Sequence, residues 1–331
     1  MNLTQLATRL QQALGILQKR DIQPIAQQLG RWVSQAPTQA QAPILLGDDC
    51  AAIPDGDGYL LFAAEGIWPT LVQTDPWFAG WCSVLVNVSD IYAMGGYPLA
   101  VVDTLWTETV EQMEPLLQGM LKAAQVFNVP IVGGHTNGHS PYKALGVAIL
   151  GRAERLISSF TAQPGDTLLL ATNFDGRSHP DYNFWDAATQ ADPAQLRTNL
   201  ALLPQLAAAG LCDTGKDVSM GGLIGTTIML LETSGCGAVL DLEAIPVPEG
   251  LDLETWLLSF PSYGFLLSVR SQHVAHVQRY FQAQHLICAP IGQMTLGSQL
   301  TLTWQSQTCS IWDCQTTALT GFASKSGASE I

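Results

Sequence analysis

Short apolar runs of strand character alternate with longer apolar runs of helical length along most of the chain, and this mixture occurs twice. In the first half, the strand-like runs include YLLFAA and LAVVDTLW, and the helical runs are DPWFAGWCSVLVNVSDIYAMGG and TVEQMEPLLQGMLKAAQVFNV. A turn at residues 164–166, PGD, precedes a second set that begins with TLLLAT. Because alternating strands and helices pack as sheets covered by helices, the pattern predicts two α/β (or α+β) domains that join near residue 160.

The predicted domain boundaries follow from the same pattern. Residues 1–43 hold two helices, broken near Pro24, and the linker APTQAQAP. Residues 44–160 form the first α/β domain and residues 161–320 form the second. The small, polar residues 321–331 are expected to be disordered.

Composition excludes several kinds of partner. The net charge is −14, so the chain repels nucleic-acid phosphates and anionic lipid surfaces, and we expect neither as a partner. No apolar run approaches the roughly 20 residues of a membrane-spanning helix, and no signal-like segment opens the chain. The seven cysteines form no CxxC pair and are expected to be reduced thiols. These features predict a cytoplasmic protein.

A polar stripe interrupts the helix predicted over residues 77–94. Ser83, Asn87, Asp90 and Met94 follow one another at helical spacing among apolar neighbours. A buried carboxylate near a helix C-terminus is costly, and a metal ion or a nearby cation would relieve that cost. The alternative is a structural network in which Asn87 and Asp90 bond to neighbouring backbone groups.

A second candidate is the acidic turn GDDCA, which follows a predicted strand at residues 44–46, ILL. Adjacent carboxylates raise each other's pKa unless a cation lies nearby, so Asp48 and Asp49 are candidate magnesium ligands. The alternative is an exposed turn.

Two glycine-rich segments are further candidates for binding a ligand. In VPIVGGHTNG, Gly133 and Gly134 end a predicted strand and would let a backbone loop with His135 and Thr136 approach an anion. In GKDVSMGGL, a glycine-rich entry into a helix suits phosphate, and Lys216 and Asp217 lie beside it. The alternatives are an ordinary strand-to-loop connection and a tight turn with Ser219 as the helix N-cap.

The segment TNFDGRSHPDYNFWDAAT, residues 172–189, concentrates aromatic, basic and acidic residues after a strand. We expect it to recognise the second substrate, with Arg177 on a carboxylate or phosphate and His179 as an acid or base. A surface loop with partly buried aromatic residues is the alternative.

In this order and spacing, GDDCA, NVSDIYAMGGYPLA, VGGHT and KDVSMGGL resemble the AIR synthase-related (PurM-like) superfamily. Its members include aminoimidazole ribonucleotide synthetase, thiamine-monophosphate kinase, selenophosphate synthetase and the hydrogenase maturation factor HypE. The resemblance implies a two-domain fold. Its N-terminal domain binds ATP and pairs with that of a second subunit in a dimeric β-barrel, and a C-terminal α/β domain follows.

Site residues carry over from the resemblance position by position. It implies metal ligands at Asp48, Asp49, Glu65, Asp90 and Asp217. It also implies nucleotide contacts, which are Asn87, Asp90, Gly133, Gly134, His135, Thr136, Lys216 and Asp217. Phosphoryl transfer with ATP and Mg²⁺ depends mainly on positioning and charge neutralisation, which suits an acidic protein with an anionic substrate.

Departures from the family pattern leave the reaction open. Relatives carry a Thr-x-Asp motif where this chain has Ala63 and Glu65, and thiamine-monophosphate kinases carry an aspartate where it has His135. Selenophosphate synthetases have a mobile cysteine or selenocysteine without counterpart before residue 44. We therefore expect a distinct group of homodimers that phosphorylate or activate a small metabolite. The alternatives are a catalytically silent nucleotide-binding regulator or scaffold and a binding protein for another phosphorylated metabolite.

Overall fold

The computed structural model describes residues 2–35 and 45–322. The predicted linker and residues 323–331 of the predicted disordered tail lie outside the described residues. Packing divides the chain into two compact units. The smaller unit comprises Asp49–Leu156 and Ala191–Gln205, and the larger unit comprises Met1–Asp48, Ile157–Gln190 and Leu206–Ile331.

The N-terminal helices fold with the larger unit. They are α1 (Leu3–Gln11), α2 (Leu14–Leu17) and α3 (Gln23–Gln35), with a 3₁₀ turn at Gln18–Ile22. Pro24 lies in the first turn of α3, where its missing N–H costs no hydrogen bond, so the predicted break is the start of this helix. Leu6 and Leu10 of α1 are fully buried in the core of the larger unit.

The smaller unit is a sheet with helices on one face. Its elements are β1 (Ala51–Asp55), β2 (Gly58–Gly66), α4 (Pro69–Thr74), α5 (Pro76–Ala93), β3 (Tyr97–Trp106), α6 (Met113–Phe127), β4 (Ile131–Asn137), β5 (Ala144–Ala153) and α7 (Pro193–Leu200). Within the described residues the strand order is β1-β2-β5-β3-β4, antiparallel except for the parallel pair β3 and β4.

The strand predicted at residues 44–46 is wrong for Leu45 and Leu46, which are irregular, and residue 44 lies outside the described part of the chain. The first strand begins instead at Ala51. Gly47 has φ +116°, a left-handed conformation that interrupts extended backbone before the sheet begins.

Helices α5 and α6 approach each other closely through two glycines. A Cβ on Gly80 would lie 2.0 Å from Leu116 O, and a Cβ on Gly119 would lie 2.0 Å from Trp77 O. Any larger residue would therefore force the helices apart. This packing buries α5 on nearly every side, which explains why its sequence is apolar all round.

The face of the sheet away from these helices is apolar and exposed. Val147 and Ile149 of β5 are buried, so the intervening side chains of this strand point to the opposite face. On that face Phe62 pairs with Leu150, and Val102 pairs with Ala148. Phe62 is 50% exposed and Val102 is 41% exposed. In the described residues this sheet is open, with β1 and β4 at its edges.

The larger unit contains a long mixed sheet and a small second sheet. Its remaining elements are β6 (Thr167–Thr172), β7 (Arg177–Ser178), β8 (Phe184–Asp186), β9 (Thr214–Asp217), α9 (Gly222–Ser234), β10 (Gly237–Asp241), α10 (Leu253–Leu257), β11 (Phe260–Pro261), β12 (Gly264–Val269), α11 (Val274–Gln282), β13 (Ile287–Thr295), β14 (Gln299–Trp304) and β15 (Gln307–Asp313). Helix α8 (Leu202–Ala208) crosses the boundary of the two units along the chain. Among described residues the sheets have the orders β15-β14-β10-β13-β6-β12-β9 and β11-β8-β7.

None of the helices in the described ranges combines the length and the apolar character needed to cross a membrane.

Candidate functional site

Helix α5 carries the polar stripe and buries it. Ser83 and Asn87 are fully buried, and Asp90 is 6% exposed. Ser83 Oγ donates to Gly80 O at 2.7 Å, and Asn87 Nδ2 donates to Ser83 O at 2.8 Å, so part of the stripe is a structural network. Asn87 Oδ1 accepts no hydrogen bond from any described residue. A buried acceptor of this kind requires a donor from water or a ligand, or a cation.

Two carboxylates share a row across the sheet of the smaller unit. Glu65 of β2 and Asp103 of β3 both pair with Val147 of β5, so their side chains lie on the same face of the sheet. Asp103 also pairs with Gly134 of β4. A Cβ on Gly134 would lie 2.6 Å from Asp103 Oδ2, so the carboxylate occupies the space that a side chain at this position would need.

Asp103 was not a predicted site residue. Burial raises the pKa of its carboxyl above the ordinary value. The sequence did contain a signal, because an aspartate inside the apolar strand LAVVDTLW is as anomalous as Asp90 inside an apolar helix. The significance of the residue depended on its neighbours Glu65 and Gly134, which come from other strands.

The glycine segment VGGHT lies within a strand, and the prediction that a loop begins at these glycines is wrong. Strand β4 continues from Ile131 to Asn137, and His135 pairs with Thr104. The His135 ring lies 5.9 Å from that of Trp106. Among the described residues β3 is the strand's only partner, so its outer edge presents backbone groups that a ligand could bind.

The acidic turn is held by hydrogen bonds within the larger unit. Asp48 Oδ2 accepts from Ser158 Oγ at 2.6 Å, and Asp48 Oδ1 accepts from Ser159 N at 2.7 Å. Gly47, in its left-handed conformation, packs against the Phe322 side chain. Asp48 therefore has a structural role in the turn. It directly precedes Asp49, the second candidate ligand of this turn.

The segment KDVSMGG begins with the last two residues of strand β9 and leads through two glycines into helix α9. Lys216 and Asp217 lie on β9 and are 3% and 7% exposed. Gly221, rather than Ser219, is the N-cap of α9. The adjacent Gly222 has φ +63°, and a Cβ there would lie 2.4 Å from Leu257 O, so this glycine serves the packing of the chain.

The segment containing Arg177 and His179 forms the small sheet of the larger unit. Arg177 Nη2 lies 3.8 Å from Asp186 Oδ2. When the Gln190 side-chain amide is flipped, its oxygen accepts hydrogen bonds from Arg177 Nη1 at 3.1 Å and Nη2 at 2.9 Å. The Arg177 side chain is nevertheless 61% exposed. Asp186 is held further by the backbone N–H of Thr189 at 2.9 Å, so the acidic side of this arrangement is fixed.

His179 is oriented by its own loop. Its Nδ1 accepts from the backbone N–H of Asp181 at 3.2 Å, and its ring lies 4.9 Å from that of Tyr182. In the neutral imidazole this bond places the ring proton on Nε2, which can then donate. Trp185 and Phe174 both pack edge-on against Trp256 and anchor the segment in the core.

The predicted metal ligands do not form a complete site by themselves. Across residues 2–35 and 45–322, no three acidic, histidine or cysteine side chains come close enough together to hold a metal ion.

Comparison with known proteins finds a domain-family match for each half of the chain. Residues 47–153 match the family model for the N-terminal domain of AIR synthase related proteins, and residues 163–305 match the model for their C-terminal domain. The Synechocystis protein sll0787 is 58% identical over 98% of this chain and 100% of its own length. The Methanocaldococcus jannaschii protein MJ0640 is 32% identical over 92% of this chain and 94% of its own. The thiamine-monophosphate kinase of Pyrococcus horikoshii is 32% identical over 62% of this chain and 68% of its own.

Solved structures show the same fold at low sequence identity. The structure of T. maritima PurL complexed with ATP superposes with a TM-score of 0.70 at 17% identity. It covers 85% of this chain, which spans only 48% of that PurL chain. AaThiL complexed with AMPPCP and TMP superposes with a TM-score of 0.64 at 19% identity, over 86% of this chain and 95% of its own.

The family models together cover most of the sequence, and two relatives match nearly its full length above 30% identity. The chain therefore belongs to the AIR synthase related family and has its two-domain PurM-like α/β fold.

Proposed function

We propose that this protein is a cytoplasmic enzyme that binds ATP with Mg²⁺ and transfers a phosphoryl group to, or activates, a small metabolite. The observation that carries the proposal is the row of Glu65 and Asp103 on one face of the sheet, where the missing side chain of Gly134 leaves room for the Asp103 carboxylate. Two kinds of relative support it: a thiamine-monophosphate kinase in sequence, and structures complexed with ATP or AMPPCP in fold.

The chemistry of the donor set fits magnesium. Mg²⁺ prefers oxygen ligands, and proteins usually hold it through one or two carboxylates together with waters and substrate phosphates. A cluster of three protein ligands is therefore not needed before the nucleotide binds. In the smaller unit we assign metal ligation to Asp49, Glu65, Asp90 and Asp103, and we assign to Asp48 mainly the support of the acidic turn.

We also assign nucleotide contacts to residues of this chain. Bound Mg²⁺ would neutralise phosphate charge, and the chain's own residues would position the nucleotide. Asn87 Oδ1 offers a buried acceptor, and the edge of β4 from Gly133 to Thr136 offers backbone N–H groups. For the larger unit by itself, we propose that Lys216 binds phosphate and Asp217 binds metal, as the resemblance of KDVSMGGL to the family implies.

We further propose that Arg177 and His179 handle the acceptor. The exposed guanidinium is held on one side by Asp186 and Gln190, and its remaining N–H groups suit a carboxylate or phosphate of the substrate. His179 accepts the Asp181 N–H at Nδ1, so its neutral ring carries a proton on Nε2 that can be donated to the acceptor.

The first experiment is calorimetry of AMPPCP binding with and without Mg²⁺. We expect Mg²⁺-dependent binding in the wild type and a loss of about tenfold or more in Mg²⁺ affinity in Asp90→Asn, because a neutral amide is a weaker ligand. Asp57→Asn, at an exposed turn, is the control and should bind like the wild type.

The alternatives have distinct outcomes in this experiment. Tight Mg²⁺-dependent binding without ATP consumption would indicate a silent nucleotide-binding regulator, which the Ala63 and Glu65 departure favours. No AMPPCP binding by the wild type would contradict an ATP enzyme and direct attention to another phosphorylated metabolite.

The raised pKa of Asp103 leads to a prediction about the pH dependence of stability. Since burial raises its pKa in the folded protein, ionisation there opposes folding at high pH, and the penalty disappears below the unfolded pKa of about 4. Asp103→Asn should therefore unfold at higher urea concentration than the wild type near pH 7 in EDTA, and at the same concentration near pH 3. An equal difference at both pH values would contradict the proposed cause.

Arg177 is tested in an ATP-consumption screen with small carboxylates and phosphorylated metabolites. For any compound that stimulates the wild type, Arg177→Ala should raise KM by about tenfold or more, the value of a charge-assisted hydrogen bond, and leave AMPPCP affinity unchanged. Arg279→Ala, on the surface of α11, is the matched control. An unchanged KM would remove Arg177 from the acceptor site.

We also propose that a second copy of the chain covers the exposed apolar sheet face and completes a dimeric β-barrel. Phe62, Val102 and Leu150 form an apolar surface of a kind that proteins usually cover. Sedimentation should show a dimer for the wild type and a monomer for Phe62→Glu, whereas Leu296→Glu, at a position 85% exposed in the larger unit, should remain dimeric. A monomeric wild type or a dimeric Phe62→Glu would rule out this interface.

A further inference from the structure

A carboxylate is buried near the C-terminal end of helix α9. Glu232 is 4% exposed and lies in the last turn of the helix, Gly222–Ser234. Burial and the negative end of the helix dipole both oppose a charge there. The residue therefore needs strong hydrogen-bond donors nearby.

Those donors come from one short segment at the end of the described chain, residues 319–322, which we call the C-terminal strap. Glu232 Oε1 accepts from Leu319 N at 2.9 Å and Gly321 N at 3.1 Å. Glu232 Oε2 accepts from Thr320 N at 2.8 Å and Thr320 Oγ1 at 2.5 Å. Four donors to one carboxylate make an anchor of charge-assisted bonds.

The strap leads directly to the acidic turn. Its last residue, Phe322, packs its side chain on Gly47, where a Cβ would lie 2.5 Å from Phe322 Cβ. Gln23 Nε2 of α3 also donates to Leu319 O at 3.1 Å, so the strap is tied on a second side. Glu232 thus holds the segment that presses on the turn at Gly47.

The same helix end reaches the turn by a second route. Thr233 Oγ1 and Ser234 Oγ donate to Ser159 O at 3.0 and 2.5 Å. Ser159 N in turn donates to Asp48 Oδ1 at 2.7 Å. The last three residues of α9 are therefore linked to Gly47 through the C-terminal strap and to Asp48 through Ser159.

We infer that Glu232 is a positioning residue: through the C-terminal strap it fixes the Gly47–Asp48 turn and thereby the direction in which the chain presents Asp49. The inference rests on the proposed role of Asp49 as a magnesium ligand. We propose no contact of Glu232 or Phe322 with metal or nucleotide.

Two variants and two readouts test the inference. Glu232→Gln replaces one accepting oxygen with an NH₂ group that cannot accept from the strap, so at least one of the four bonds is lost. Phe322→Ala removes the ring atoms that pack on Gly47 and leaves the Glu232 bonds in place. Hydrogen exchange of residues 45–50 reports the turn, and calorimetry of AMPPCP with and without Mg²⁺ reports the metal. Glu249→Gln, at an exposed position, is the control, and Phe322→Leu is the conservative variant.

Both variants should speed exchange of residues 45–50 by about tenfold or more, since they lower the free energy of local opening. They should weaken Mg²⁺ affinity by about tenfold, the typical effect of losing a ligand's supporting contact, and leave Mg²⁺-free AMPPCP binding unchanged. Phe322→Leu should restore both values.

Unchanged exchange in both variants would overturn the inference, and so would faster exchange with unchanged Mg²⁺ affinity. If Glu232→Gln fails to fold, Phe322→Ala decides by the same criteria. If the wild type binds AMPPCP without any response to Mg²⁺, the proposed function fails and the positioning of a metal ligand fails with it. The exchange data would then show separately whether Glu232 and Phe322 still hold the turn.

Discussion

Burying a carboxylate costs free energy that only donors or cations can recover, and this constraint separates the structural acidic residues of this protein from its candidate functional ones. Glu232 recovers the cost through four donors of residues 319–321. Asp166 recovers it through Arg270 and Ser268. In the smaller unit, by contrast, Asn87 Oδ1 lacks a donor from the described residues, and burial raises the pKa of Asp103. Acceptors are in excess there, as a cation site requires.

Close backbone packing provides the rigid setting for that excess. Gly80 and Gly119 bring α5 and α6 together at a distance that no other residue permits, and α5 is thereby held against the sheet. A rigid helix cannot rotate its polar groups toward water, so Asn87 and Asp90 stay buried. Gly134 plays a different part, because its missing side chain leaves room for the Asp103 carboxylate on the next strand.

Several site predictions rested on local pattern, and the structure shows where local pattern was sufficient. The helix predicted over residues 77–94 is α5, Pro76–Ala93, because long apolar runs with a helical period specify their own secondary structure. The glycines of VGGHT do not end a strand, because pairing of β4 with β3 outweighs the local preference of glycine for loops. Ser219 is not an N-cap, because the chain turns into α9 two residues later, at Gly221.

The sequence by itself determined that the chain forms two α/β domains of the AIR synthase related family, and it identified the polar positions within apolar elements. These features depend on residue order and periodicity, which are local. Only the tertiary structure decided that Asp103 lies in line with Glu65, that Asp48 is tied to Ser158 and Ser159, and that residues 319–322 support the acidic turn. Strand register and long-range hydrogen bonds join residues that are distant in sequence, so no local pattern records them.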